Sequence, residues 1–302
     1  MNDVFESQLF SITTIILTKY VSHGMQCCGN ASGFYYDEVE PENHEAGKPH
    51  WVKFDKHWLI TNKHVVHSDE SYSTLVDEMT FCLREQTNNG IEWIPITITK
   101  DELKSILRIH KNPIVDVVAL DVTEYIGDII RKRKGKGLML PTALTNENLP
   151  DNQPLTIDVT SDIVVASYPK GFYDKFNKFP IVKSGIIASA WGFSFNGAPM
   201  FQIDAQLFPG SSGGLVISKP TNIAMIDQQI KYSKIKQFVF LGIYSGEYLW
   251  QEKLTVDGKA VEVNRSYGLG NVWYSSLVPE IINAGNVVEN KLKNMQLEGI
   301  GH

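Results

Sequence analysis

Cysteine is scarce in this sequence. The chain has three cysteines in 302 residues, Cys27, Cys28 and Cys82. Two of them are adjacent and their number is odd, so the sequence does not indicate the disulfide framework that holds small secreted domains together. A chain of this length can bury a sizeable core without such bonds. The cysteine content therefore favours a reducing compartment, and we expect a cytoplasmic protein.

Long hydrophobic runs are missing as well. No stretch approaches the roughly 18 consecutive apolar residues that indicate a membrane-spanning helix. Asp3 and Glu6 stand where a signal peptide carries basic residues, and the apolar run from Phe10 to Leu17 contains several hydroxyl side chains. We interpret that run as a β-strand, and we expect neither a secretion signal nor a membrane partner.

Basic residues are in the minority. The chain has 28 Lys and Arg against 34 Asp and Glu, with a formal net charge of −6 and a pI of about 5.8. Proteins that bind nucleic acid are usually basic, so the sequence disfavours that class of partner. The basic run from Arg131 to Lys136 could contact phosphates, but in an acidic chain we interpret it as a solvated loop.

Short apolar segments are plentiful, and Gly, Pro, Asn and Asp separate them. Such a series of short strands is typical of β-sandwiches and β-barrels, so we predict an all-β fold. Helical signals appear near the C-terminus, where Ser276 could cap a helix that begins near Leu277. Gly285 would end that helix before a second stretch to about Met295. Between Gly127 and Gln153, basic and polar residues indicate a connection between two lobes.

The chemistry that the sequence indicates centres on Gly210-Ser211-Ser212-Gly213-Gly214. Glycines on both sides allow a tight turn that presents the Ser212 hydroxyl. The N–H groups of Gly210 and Ser212 could converge on one oxygen, as acyl transfer requires. The alternative for this motif alone is a plain glycine-rich turn.

Two further segments could supply the base and its orienting group. His64 follows the hydrophobic segment Leu59–Thr61, and Asp116 lies in the apolar run Val115–Val122. A carboxylate in an apolar run needs compensation, which a histidine N–H would provide. We predict no metal site, since His64 and His67 have no cysteine or acidic cluster beside them, and no cofactor.

The order His64, Asp116, Ser212 along the chain is the one found in chymotrypsin-like proteases. The segments around His64 and Ser212, together with Asp116–Val122 and Val182–Ala190, make the chain resemble the trypsin-like serine peptidases. The resemblance is strongest to their bacterial HtrA-like branch. Secreted trypsins have an aspartate at the position of Ser211, so their mode of zymogen activation is not expected. Too few residues follow Trp273 for the PDZ domain of HtrA proteases.

The resemblance implies two packed six-stranded antiparallel β-barrels with a C-terminal helix, in which the triad lies in the cleft between the barrels. The corresponding boundaries are an N-terminal barrel at 1–130, a connection at 131–154, a second barrel at 155–275, and a C-terminal helix and tail at 276–302.

The resemblance also assigns roles. Ser212 would be the nucleophile, His64 the base and Asp116 its orienting group, with the oxyanion bound by Gly210 and Ser212. Gln206 would lie at the base of the first specificity pocket. Tyr244 and Ser245 would line the substrate groove.

Three functions stay open on the sequence. The first is a serine endopeptidase acting on a protein or peptide substrate. The second is a pseudoprotease that binds a peptide on the same fold, and the third is an esterase or other acyl hydrolase. Because no activation device is visible, we also expect a regulatory partner that controls formation of the site.

Overall fold

The computed structural model describes residues 9–40, 53–134, 136–226, 229–256 and 259–287. Within these ranges the chain folds mainly into antiparallel strands, which form one large sheet, one closed barrel and one separate hairpin. The predicted all-β class is therefore confirmed.

The first sheet contains nine strands. Their spatial order is β17-β6-β7-β3-β2-β1-β4-β5, with β8 beside β4. The bounds are β1 Thr13–Ser22, β2 Met25–Glu40, β3 Lys53–Thr61, β4 Glu78–Thr87, β5 Gly90–Thr99, β6 Leu107–Ile109, β7 Val118–Asp121, β8 Leu138–Met139 and β17 Asn286–Val287. In β5 alternate residues are buried, because successive side chains point to opposite faces of a strand. Ile96 of β5 joins the same core cluster as Leu107 of β6, so the sheet curls around its own core.

This first sheet differs from the six-stranded barrel that we predicted. Among the described residues no strand pairing joins its two edge strands, and the sheet has nine strands where six were predicted. Helix α1, Lys100–Ile106, stands in the chain between β5 and β6. A curled sheet thus takes the place of the first closed barrel.

The second predicted barrel is confirmed. Six strands close in the order β10-β11-β16-β15-β12-β9 around an apolar interior. Their bounds are β9 Asp162–Ser167, β10 Ile181–Ile187, β11 Met200–Asp204, β12 Leu215–Ser218, β15 Phe240–Val256 and β16 Lys259–Tyr274. β15 and β16 continue past the barrel as a long hairpin, while β13 Thr221–Ile226 and β14 Gln229–Gln237 form a separate hairpin.

The predicted C-terminal helix is α3, Leu277–Ala284. Ser276 occupies the N-cap position, but its side chain makes no capping hydrogen bond. Val278 and Ile281 of α3 lie in a core cluster with Phe34 of the first sheet and Phe240 of the barrel. The helix thus packs against both the first sheet and the barrel. The second helical stretch that we predicted, from Gly285 to about Met295, extends outside the described residues.

The basic run does not begin in a loop as we expected. Helix α2, Thr123–Arg133, includes its first three residues. Arg131 pairs with Glu124 and Asp128, and Arg133 pairs with Glu85. Acidic neighbours therefore balance part of this positive charge. After α2, the short strand β8 pairs with β4, so this part of the chain lies beside the first sheet. The predicted domain boundaries stay a prediction.

Candidate active site

His64 and Asp116 meet at one edge of the first sheet. His64 lies in a 3-10 turn directly after β3, and Asp116 lies just before β7. Because β3 and β7 pair antiparallel, the end of one and the start of the other lie at the same edge. His64 Nδ1 lies 2.7 Å from Asp116 Oδ2, and the His64 backbone N–H donates to Asp116 Oδ1 at 2.9 Å. The carboxylate therefore holds both the ring and the backbone of the histidine.

The Asp116 carboxylate is buried, and hydrogen bonds from the protein replace its contacts with water. It lies before the strand, since β7 begins two residues later at Val118. Besides the two donors of His64, the Ser245 hydroxyl donates to Asp116 Oδ2 at 2.7 Å. Three hydrogen bonds thus offset the loss of water around the carboxylate. Because the carboxylate accepts from Nδ1–H, the neutral ring presents Nε2 as an acceptor.

Ser212 lies in a tight loop between β11 and β12. Gly210 and Gly213 have φ of +90° and +78°, the left-handed region that favours glycine. A Cβ atom on Gly213 would lie 2.1 Å from the Ser32 carbonyl oxygen, so no other residue fits there. The two glycines therefore allow this loop to turn tightly against the first sheet.

The loop leaves two backbone donors free. The Pro209 carbonyl accepts from the Lys170 N–H at 2.6 Å, and the Ser211 carbonyl accepts from the Gly214 N–H at 2.8 Å. In a trans peptide the carbonyl and the following N–H point in opposite directions, so the N–H groups of Gly210 and Ser212 turn away from these partners. Within the described part of the chain neither N–H donates a hydrogen bond. These are the two groups that the sequence predicted as oxyanion donors.

The Ser212 hydroxyl turns toward Ser245. Its Oγ donates to the Ser245 carbonyl at 3.0 Å, and no hydrogen bond joins Ser212 to His64 in the described structure. Ser245 thus contacts both Ser212, through its carbonyl, and Asp116, through its hydroxyl. Ser245 therefore links Ser212 with Asp116 and His64 in one cluster, in which the Ser212 hydroxyl donates to the Ser245 carbonyl and not to His64.

Sequence reasoning missed two residues that tie the serine loop to the first sheet. Asn62 donates through Nδ2 to the Asp116 carbonyl at 2.7 Å and accepts from the Gly213 N–H at 2.5 Å. The Ser32 N–H donates to the Ser212 carbonyl, and the Ser32 hydroxyl donates to the Gly210 carbonyl. Asn62 stands between a buried strand and His64, and that placement of a polar side chain was the available signal.

The predicted substrate-binding residues have different surroundings. Ser245 lies against Ser212, as described above. The Tyr244 side chain is 2% exposed and packs in the barrel core, where burial raises the pKa of its phenol. Substrate contact at this position would therefore involve the backbone. Gln206 is exposed in the loop after β11, and its role at the base of a pocket stays a prediction.

One edge of β15 is open beside Ser212. β15 pairs with β12 up to Ile243, and Tyr244 exchanges backbone hydrogen bonds with Gly213 and Gly214. From Ser245 onward, β15 pairs with β16 on one side, and no described strand pairs with it on the other. An extended peptide could add to such an edge.

The described residues also bear on metal binding and on membrane insertion. They contain no group of three or more His, Cys, Asp and Glu side chains that could hold a metal ion. Their helices include none that is both long and apolar enough to span a membrane.

Comparison with known proteins gives a family match. The family described as "Trypsin-like peptidase domain" matches residues 31–222, nearly two thirds of the chain. A search of curated proteins finds no significant match.

Two solved structures are similar to this chain at low sequence identity. The active form of the Rv3671c protease from M. tuberculosis has 15% identity and a TM-score of 0.44, over 93% of this chain and 83% of that one. The apo form of the MamO protease domain from Magnetospirillum magneticum has 12% identity and a TM-score of 0.41, over 91% of this chain and 97% of that one.

Proposed function

Since this chain belongs to the family of trypsin-like peptidase domains, we propose that it is a serine endopeptidase with Ser212 as its nucleophile. Peptidases act on proteins or peptides, which gives the substrate class. The observation that carries the proposal is the 2.7 Å contact between His64 Nδ1 and Asp116 at the edge where the Ser212 loop docks.

The proposed reaction follows from this arrangement. Ser212 Oγ attacks the scissile carbonyl while His64 Nε2 takes the hydroxyl proton, and Asp116 stabilises the imidazolium that forms. The N–H groups of Gly210 and Ser212 bind the oxyanion. The C–N bond then breaks as His64 returns the proton to the leaving amine. Water, activated by the same histidine, hydrolyses the acyl-enzyme.

A peptide-binding protein without turnover is the second candidate. The observation that favours it is the hydrogen bond from Ser212 Oγ to the Ser245 carbonyl, which engages the proposed nucleophile with an acceptor other than His64. In the endopeptidase, substrate or a regulatory partner would have to release this bond. In a pseudoprotease the bond would persist in the complex.

A fluorophosphonate probe, which reacts with activated serines, tests the proposal. We expect the wild-type protein to be labelled and Ser212→Ala to lose the label, while Ser105→Ala, an exposed serine on helix α1, keeps it. Comparing turnover of matched peptide and ester substrates then separates an endopeptidase from an acyl hydrolase. If wild type stays unlabelled although Ser212→Ala binds peptides, the pseudoprotease becomes the better conclusion.

A further inference from the structure

Two lysines and an exposed phenylalanine lie beside the serine loop. Phe208 stands four residues before Ser212 and is 42% exposed. Lys183 Nζ lies 4.9 Å from the centroid of the Phe208 ring, and Lys170 Nζ lies 5.9 Å from it. Lys170 belongs to the loop after β9 and Lys183 to β10, so three separate segments converge on one ring.

This cluster borders the segment that carries the proposed oxyanion donors. The Lys170 backbone N–H donates to the Pro209 carbonyl at 2.6 Å. A Cβ atom on Gly210 would lie 2.6 Å from the same nitrogen. Lys170 therefore packs against the side of the Pro209–Gly210 peptide that is opposite the Gly210 N–H, and the cluster flanks the serine loop.

The positive charge of the cluster is not balanced. No Asp or Glu of the described chain forms an ion pair with Lys170 or Lys183. Other lysines do have such partners, for example Lys19 with Glu78 and Lys219 with Asp162. Two ammonium groups without a carboxylate partner in the described structure thus lie over one ring, in a chain with a net charge of −6. Contact with the ring offsets only part of their mutual repulsion.

We propose that Lys170, Lys183 and Phe208 form a subsite for an acidic side chain of the substrate. The inference rests on the proposed peptidase function and narrows its substrate class to peptides with Asp or Glu near the cleaved bond. One half of the peptide adds to the open edge of β15 at Ser245. The other half extends past the serine loop to the flanking cluster, where the aliphatic stem of its Asp or Glu packs on Phe208 and the carboxylate meets the two ammonium groups.

The test uses peptides that differ by one Glu-to-Gln exchange, placed in turn at each of about three positions on either side of the cleaved bond. We expect Glu at one position to raise kcat/KM over Gln by about fivefold for each lysine, the upper range for exposed ion pairs. Lys170→Gln and Lys183→Gln should each reduce this preference, the double variant should abolish it, and high salt should weaken it. Lys175→Gln, an exposed lysine of the same loop, is the matched control and should keep the preference.

A binding measurement separates this inference from the peptidase proposal. The same peptides, labelled with a fluorophore, are titrated with Ser212→Ala and with the same protein lacking both lysines. If no peptide is cleaved but Ser212→Ala binds the Glu form more tightly in a lysine-dependent way, the subsite stands and the peptidase proposal fails. Equal cleavage of Glu and Gln forms at every position would overturn the subsite alone. A preference that survives the double variant would overturn it as well, as would the absence of both cleavage and selective binding.

Discussion

Asn62 joins the two halves of the candidate site through one side-chain amide. The side chain is completely buried, donates to the carbonyl of Asp116 and accepts from the N–H of Gly213. A buried polar group that loses its partner costs about 1–3 kcal/mol. Asn62 therefore fixes the position of the serine loop relative to Asp116, through bonds to the backbone of both segments.

We expect Asn62→Ala to lower kcat by about tenfold or more with a smaller change in KM, because displacement of the reacting groups affects the transition state more than substrate binding. Peptide kinetics measure this split, and urea unfolding measures the accompanying loss of stability. Asn222→Ala removes an exposed asparagine on β13 and is the matched control. An unchanged kcat in a folded Asn62→Ala protein would contradict the positioning role.

The three residues proposed as a triad could be predicted from the sequence because each lies in a local pattern. His64 follows a hydrophobic segment, Asp116 interrupts an apolar run, and Ser212 stands among glycines. Ser32 could not be predicted in this way, since the Gly210 carbonyl that it bonds in the serine loop lies 178 residues away in the chain. The orientation of the Ser212 hydroxyl could not be predicted either, because the Ser245 carbonyl competes with His64 as its acceptor in the folded site.

Among the elements, the short helix α1 shows how a local signal was overlooked. The sequence Thr99-Lys100-Asp101-Glu102 carries a capping box, in which the Thr99 hydroxyl accepts from the Glu102 N–H and the Glu102 carboxylate accepts from the Thr99 N–H. With seven residues, the helix is too short for a clear hydrophobic period. The capping residues alone would have indicated it, and with it the interruption between β5 and β6.

Thr99→Ala should destabilise the protein by about 1 kcal/mol, because it removes the N-cap acceptor of α1. Thermal unfolding followed by circular dichroism measures the change. Thr156→Ala removes an exposed threonine that makes no hydrogen bond among the described residues, so it serves as the reference substitution. Equal melting temperatures for the two variants would show that the cap does not stabilise α1.

Across the whole molecule, a second histidine–aspartate pair links stability to pH. His57 Nδ1 lies 2.7 Å from Oδ1 of Asp37, which is 4% exposed. The hydrogen bond to Asp37 raises the pKa of His57, although burial opposes the shift. A histidine with a raised pKa binds its proton more tightly in the folded state. Its stabilising effect is therefore complete below the ordinary pKa of about 6.5 and is lost as pH rises through the folded value.

We expect His57→Asn to remove this part of the pH dependence. Urea unfolding of the wild type from about pH 6 to 9 should show a loss of stability with rising pH that the variant lacks. The exposed His23 provides the control His23→Asn, which should follow the wild-type curve. Parallel curves for wild type and His57→Asn would contradict the assignment.

At the same scale, short apolar segments and turn residues predicted β-structure in two lobes, because these are local features. The closed second barrel was predicted through the resemblance to trypsin-like peptidases. The sequence did not predict the nine-stranded first sheet. β8 and β17 have two residues each, too short for a detectable alternation, and they join the sheet through distant pairings. Long-range pairing of this kind has no signature within the strand itself.

β17 follows the barrel in the chain but pairs with β6 of the first sheet, so the C-terminal part of the chain contributes a strand to the N-terminal sheet. A break engineered in the exposed segment near Asp158 would leave the strand that pairs with β6, and the apolar helix α3, on the fragment that carries Ser212. The other fragment would keep His64 and Asp116 but would expose the surface that α3 covers. Each fragment would carry some of the proposed catalytic residues and a surface that fits the other. The pair would therefore work as a two-component reporter, in which peptidase activity signals that the two fragments have bound each other.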